Sequence, residues 1–127
     1  MRALLVLTIG LAACFSSDPA ATGVTGDVGA TVEMTTDLHF SPATVTIHVG
    51  QAVRWHNGTT FLHTATGNRA LAADTSHVHL PAGAQPFNSG DVAANGDYTH
   101  VFTVPGRYDY VCLPHESFGM RGTIIVE

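Results

Sequence analysis

The chain of 127 residues has the length of one domain, and its apolar content of 45%, with six Phe, three Tyr and one Trp, is enough for a hydrophobic core. Five basic residues stand against ten acidic ones, and the resulting net charge of −5 argues against nucleic acid as a partner. No stretch after the first residues is apolar over enough positions to span a bilayer.

The N-terminus has the pattern of an export signal. Met1-Arg2 is followed by the short apolar run 3–13, which ends in small residues. Leu11-Ala12-Ala13-Cys14 resembles the bacterial lipobox, in which the cysteine is acylated and becomes the new N-terminus. The alternatives are an ordinary signal peptide cut near Ala13 and a start that is not exported. We expect a signal peptide at 1–13, a lipid anchor on Cys14 and a periplasmic or cell-surface location.

The segment after the signal is rich in Gly, Ala, Ser and Thr, which predicts a flexible tether at 14–30. Two cysteines in an exported protein would normally suggest a disulfide. Here Cys14 belongs to the signal and Cys112 lies at the far end of the domain, so we expect both to be unpaired. Cys112 is then a lone thiol that is exposed to oxidation unless something engages it.

From about Thr31 the pattern is typical of β-strands. After the alternating segment 44–49, strands are predicted at 52–57, 98–104, 107–112 and 122–127, with a turn at Pro105-Gly106. The Gly/Ala/Asn-rich stretch 67–96 has room for one more strand or a helical turn. Because the strands are short and turns recur regularly, residues 31–127 are predicted to form an all-β domain, an antiparallel Greek-key sandwich or barrel.

Alternation along two of these strands indicates which side chains face the core. On the first of them the inward residues are Val45, Ile47 and Val49. On the strand 107–112 they are Tyr108, Tyr110 and Cys112. The sulfur of Cys112 is therefore expected to point inward, away from water.

The loop that follows this strand holds a thiol, an imidazole and a thioether. These belong to Cys112, His115 and Met120. Pro114 stiffens the first turn and Gly119 lets the backbone fold back, so the three side chains can converge on one point. Two His, one Cys and a distant Met form the blue-copper arrangement. The second histidine must come from elsewhere, and His63 is the best candidate.

The sequence around this loop resembles the cupredoxin family of type 1 blue copper proteins, in particular its plastocyanin and pseudoazurin branch. The resemblance rests on the run 98–112, on Cys112-Leu113-Pro114-His115 with Gly119-Met120, and on the closing strand 121–126. It covers 31–127 and implies the cupredoxin fold, one copper ion that cycles between Cu(I) and Cu(II), and electron transfer without enzymatic activity. The ligands it implies are His63, Cys112, His115 and Met120.

Three positions depart from the family pattern. Leu62 stands where the family often has Pro, and Thr64 stands where an Asn often ties the ligand loops together. Val111 occupies the place of the exposed Tyr that serves plastocyanins as one electron route. We therefore expect electrons to leave at the edge of His115, with Phe118 widening an apolar docking patch. Pro114 has no N–H and cannot donate a hydrogen bond to the sulfur.

The leading functional hypothesis is a monomeric electron carrier that shuttles between a redox-protein donor and a redox-protein acceptor and contacts the membrane through its lipid anchor. The alternative is a periplasmic copper carrier or storage protein. The eight histidines, notably His77 and His79, would then supply exchangeable sites, although a solvated loop also explains that pair. A copper oxidase or nitrite reductase would need a further copper centre, and a binuclear centre would need two cysteines in the loop.

Overall fold

The computed structural model describes residues 26–127. Nine strands are formed in this range: β1 (Val28–Met34), β2 (Phe40–Ser41), β3 (Thr44–Ile47), β4 (Ala52–Asn57), β5 (Thr66–Gly67), β6 (Phe87–Asn88), β7 (Asp97–Val101), β8 (Gly106–Val111) and β9 (Arg121–Val126). One sheet has the order β2-β1-β4-β7 and the other β3-β9-β8-β5-β6. Short 3-10 helices lie at Thr75–His77 and Leu113–Phe118. The predicted all-β class is confirmed.

Both sheets are mixed, since each contains one parallel pair. β1 runs parallel to β4, and β3 runs parallel to β9, while the other pairs are antiparallel. The parallel partners are not consecutive in the chain. Their relative direction is therefore set by how the chain crosses between the sheets, which a period-two pattern does not report.

The described residues begin inside the predicted tether. β1 starts at Val28, whereas the sequence indicated a tether up to residue 30 and a domain from 31. The predicted signal peptide at 1–13, the lipidation site Cys14 and the first part of the tether lie outside the described residues. No helix within residues 26–127 has the length and apolar character needed to cross a membrane.

The two alternating strands bury their inward residues, with one exception. Val45, Ile47, Tyr108 and Tyr110 are buried as predicted. Val49 is 40% exposed, so its predicted place on the core face is wrong. β3 ends at Ile47, and residues 49–50 form a turn in which Gly50 has a φ of 88°. A residue in a turn no longer follows the strand's alternation.

An aromatic core lies between the sheets and extends to the end of β8. The indole N–H of Trp55 donates a hydrogen bond of 3.0 Å to the hydroxyl of Tyr110, and both side chains are fully buried. Gly122 in β9 gives the Tyr110 ring its space, because a Cβ there would lie 2.4 Å from the ring carbon Cζ. The packing of this core therefore fixes β8, the strand that Cys112 follows directly.

Candidate metal centre

Three of the predicted ligand residues converge at one end of the sandwich. The possible ligand atoms of His63, Cys112 and His115 all lie within 4.8 Å of one another. The sulfur of Cys112 is 3.7 Å from Nδ1 of His63 and 3.5 Å from Nδ1 of His115. Within residues 26–127 this is the one group of three or more His, Cys, Asp or Glu side chains close enough to hold a metal ion.

Met120 is held at the same end of the domain by its backbone. The N–H of Cys112 donates to the carbonyl of Met120 at 3.0 Å, and the N–H of Met120 donates to the carbonyl of His115 at 3.3 Å. Gly119 makes this return possible because its φ of 86° lies in the left-handed region, which residues with a Cβ rarely adopt. The thioether side chain of Met120 is fully buried.

The ring of His63 is oriented by Thr59. Nε2 of His63 lies 3.1 Å from the Thr59 hydroxyl oxygen, and the Thr59 O–H donates to Oδ1 of Asn57 at 2.7 Å. The Thr59 oxygen therefore accepts from the Nε2–H of His63, which leaves the Nδ1 lone pair facing the sulfur. Burial and the neighbouring His115 both lower the pKa of His63, so the ring is held in the neutral form that a metal ligand needs.

Asn57 fixes the loop that carries this arrangement. Its amide group donates to the carbonyls of Phe61 and Val92 at 2.7 and 2.8 Å, and its Oδ1 accepts from the N–H of Thr59 at 2.9 Å. The side chain is fully buried with its hydrogen-bonding groups paired. Neither Asn57 nor Thr59 was singled out from the sequence. Their only signal is Asn-Gly-Thr after an apolar strand, and this is ordinary turn chemistry.

Thr64 joins the two ligand loops. Its N–H donates to the sulfur of Cys112 at 3.3 Å, and its hydroxyl oxygen accepts from the N–H of Leu113 at 2.8 Å. A second buried hydroxyl, that of Thr66, lies 2.9 Å from the Thr64 hydroxyl and 2.9 Å from Oδ1 of Asn88. A threonine hydroxyl thus supplies the acceptor at the position where the resemblance implied an asparagine.

The donor set fits a soft cation. Burial raises the pKa of the Cys112 thiol, although the hydrogen bonds from Thr64 and His115 partly oppose this. A positive ion between the sulfur and the two imidazoles would stabilise the thiolate, and metals are bound by thiolates rather than thiols. Thiolate and imidazole together with a nearby thioether are the donors that favour copper.

The rim around the site is apolar. Phe61, Leu62 and Phe118 are 47%, 52% and 70% exposed. The ring of His115 lies near two of them, with its centroid 6.5 Å from that of Phe61 and 6.3 Å from that of Phe118. Among the three convergent residues His115 alone is partly exposed, since His63 and Cys112 are fully buried.

One charged side chain in the ligand loop is buried, although nothing in the sequence indicates its burial. Glu116 is 4% exposed and accepts hydrogen bonds from the N–H groups of Ala73 and Asp74 and from Nδ1 of His77. Burial raises the pKa of this carboxyl, but these donors outweigh the burial, so its pKa lies below the usual value. His77 is therefore engaged with Glu116, while His79 pairs through its backbone with Asp109.

The comparisons with known proteins agree with this geometry. A family model described as copper binding proteins, plastocyanin/azurin family, matches residues 27–127. A plastocyanin of Synechococcus sp. (strain JA-2-3B'a(2-13)) is 36% identical over 97% of this chain and 88% of its own length. A solved pseudoazurin from Sinorhizobium has a TM-score of 0.60 at 26% identity, covering 77% of this chain and 72% of that one. A copper-containing nitrite reductase from Thermus scotoductus has a TM-score of 0.61 at 28% identity over 79% of this chain but 22% of its own.

Proposed function

Since this chain belongs to the plastocyanin/azurin family of copper-binding proteins and is a blue copper electron-transfer protein, we propose that four side chains hold its one copper ion. They are His63, Cys112, His115 and Met120. The observation that carries this assignment is the buried Cys112 sulfur, 3.7 and 3.5 Å from two imidazole Nδ1 atoms. Bound copper would supply one-electron chemistry between Cu(I) and Cu(II).

The role of the surrounding protein is to hold these donors in place in both oxidation states of the copper. Thr59 orients the ring of His63, and Thr64 hydrogen-bonds both the sulfur and the start of the ligand loop. These hydrogen bonds join protein groups only, so they do not depend on the metal. Ligands that are fixed in this way move little on electron transfer, which keeps the transfer fast.

We propose that electrons enter and leave at the edge of His115. Its ring lies within the exposed apolar rim formed by Phe61, Leu62 and Phe118, and such a rim suits contact with another protein. Val111 is fully buried, so the position beside Cys112 offers no surface route. The proposed partners are a redox-protein donor and a redox-protein acceptor. The acidic net charge of −5 favours basic partners and salt-dependent association.

The proposed setting is outside the cytoplasm, on a lipid anchor. The export pattern at 1–13 supports secretion, and Leu11-Ala12-Ala13-Cys14 supports acylation of Cys14. We also propose that the domain acts as a monomer and as a carrier, not an enzyme. The nitrite reductase that it resembles is several times longer, and residues 26–127 contain one metal-ligand group of this kind.

Copper storage is the second candidate, and the structure offers it less support. It would use exchangeable histidines such as His77 and His79, yet the ring of His77 is hydrogen-bonded to Glu116. Titration of the apo-protein with Cu(II) separates the two functions. One tightly held ion with an intense blue thiolate-to-copper band supports electron transfer, and His77→Ala with His79→Ala should leave that stoichiometry unchanged. Several weakly held ions without the band would support storage.

A further inference from the structure

The middle of the ligand loop is attached to a separate segment of the chain by hydrogen bonds to the buried carboxylate of Glu116. We call this contact, between Glu116 and the groups at 73–77, the clasp. Oε2 of Glu116 lies 2.8 Å from the N–H of Ala73, while Oε1 lies 3.1 Å from the N–H of Asp74 and 2.9 Å from Nδ1 of His77. Within residues 26–127, Glu116 is the one buried side chain that is an acid, Lys or Arg.

The segment that receives Glu116 has its own local order. Asp74 caps the 3-10 helix Thr75–His77, because its Oδ1 accepts from the N–H of Ser76 at 2.8 Å. The other ring nitrogen of His77, Nε2, lies 3.7 Å from Oδ2 of Asp74. The imidazole of His77 therefore lies between the carboxylates of Asp74 and Glu116. Its Nδ1–H donates to Glu116, and this contact involves protein groups alone.

The clasp joins the middle of the ligand loop to a distant segment of the chain through hydrogen bonds. The ends of the loop are fixed by the pairing of Val111 with Arg121, and its start is fixed by the hydrogen bond of Leu113 to Thr64. Between these points the loop makes turn hydrogen bonds to itself, such as Gly119 N–H to the carbonyl of Glu116 at 3.0 Å. Glu116 follows His115 directly, so the clasp is the attachment nearest to that histidine.

We propose that Glu116 is a positioning residue for the copper site: the clasp with His77 fixes the loop around His115, and the buried negative charge favours the more positive oxidation state of the metal. The inference rests on the proposed copper ligands. A buried carboxylate is retained only where it is fully hydrogen-bonded, and removing one partner of such a contact disturbs its surroundings strongly. The segment 73–77 carries no proposed ligand, but through Glu116 it helps to fix the position of the ligand loop.

The first test uses the apo-protein and needs no metal. Hydrogen exchange is measured at the amides of Ala73 and Asp74, whose N–H groups donate to Glu116. Glu116→Ala should speed their exchange at least about tenfold, because local opening then exposes both amides. If the alanine variant does not fold, the exchange of the same two amides is measured in Glu116→Gln. The matched control is Glu33→Gln, an exposed acid in β1, which should leave both amides unchanged.

The second test uses the copper-loaded protein. Glu116→Gln should raise the reduction potential, alter the Cu(II) hyperfine splitting and speed copper release to a chelator at least about tenfold, in line with the usual effect of losing a residue that orients a ligand. His77→Ala also breaks the clasp, so it should speed copper release as well and add little to the release rate of Glu116→Ala. Because it keeps the Glu116 carboxylate, it should not raise the potential.

The outcomes separate this inference from the proposed function. A blue wild-type protein whose Glu116→Gln variant keeps its potential, its hyperfine splitting and its release rate would overturn the positioning role alone. Unchanged exchange at Ala73 and Asp74 in Glu116→Ala would overturn the clasp itself. A wild-type protein that never turns blue would overturn the copper site and this inference with it.

Discussion

Thr59→Val is the substitution that tests the orientation of His63 most selectively. Valine has nearly the shape of threonine but no hydroxyl. The Thr59 oxygen accepts from Nε2 of His63 at 3.1 Å and from the N–H of Phe61 at 3.1 Å, and its O–H donates to Asn57 at 2.7 Å. The change therefore removes one partner from three groups at once, and Asn57 and His63 are fully buried.

The magnitude follows from those lost partners. A buried group left without its partner costs about 1–3 kcal/mol, and the three are not additive, so we expect the apo-protein to lose about 2–4 kcal/mol of unfolding free energy. The His63 ring also loses the bond that selects its tautomer. Copper affinity should then fall about 10- to 100-fold, as it does when a residue that orients a metal-binding histidine is removed.

Two assays measure these effects against a matched control. Urea unfolding of the apo-protein gives the free energy, and competition with a Cu(I) chelator gives the affinity. Thr59→Ser keeps the hydroxyl and should stay within about 1 kcal/mol of the wild type, since it removes only one methyl group. Equal stability and equal copper affinity in the Val and Ser variants would refute the reasoning.

Further predictions concern Thr64, Pro114 and His100. Thr64→Val leaves the N–H of Leu113 without its acceptor, so urea unfolding should show a loss of about 1–3 kcal/mol, and Thr64→Ser should not. Pro114→Ala creates a possible N–H donor to the sulfur and should raise the reduction potential in voltammetry; an unchanged or lowered value would contradict this. Burial lowers the pKa of His100, so its proton should leave at a lower pH than in an unfolded chain, where the pKa is about 6.5, and NMR titration should show it. The unfolded chain therefore takes up this proton first as the pH falls, so the unfolding free energy should decrease below about pH 6.5 and not change above it on account of His100. His100→Gln should weaken this pH dependence.

The sequence predicted five of the nine strands, β3, β4, β7, β8 and β9, because a strand of several residues shows in the local pattern. β4 matches the predicted segment 52–57, and Tyr110 and Cys112 point inward because strand side chains alternate. The spacing of the loop at 112–120 also brings its donors together locally. The parallel pairing of β1 with β4 was not predictable, since it depends on how distant segments cross.

The supporting residues escaped prediction because their roles depend on long-range contacts. Glu116 meets residues 73–77 across about 40 positions of the chain, and a glutamate in a surface loop gives no signal of burial. Asn57 and Thr59 have the composition of a common turn, and only the folded loop shows that they reach His63. The sequence alone does not show whether Thr64 can join the ligand loops as an asparagine does, because a hydroxyl and an amide side chain differ in length.

The visible and electron paramagnetic resonance spectra of the Cu(II)-loaded domain test the central assignment most directly when wild type and Cys112→Ser are compared. The intense blue band arises from charge transfer between a thiolate and Cu(II), so it requires the sulfur as a ligand. We predict that the wild type shows this band at one copper per chain and that Cys112→Ser lacks it. Persistence of the blue band in Cys112→Ser would contradict the copper site built on His63, Cys112, His115 and Met120.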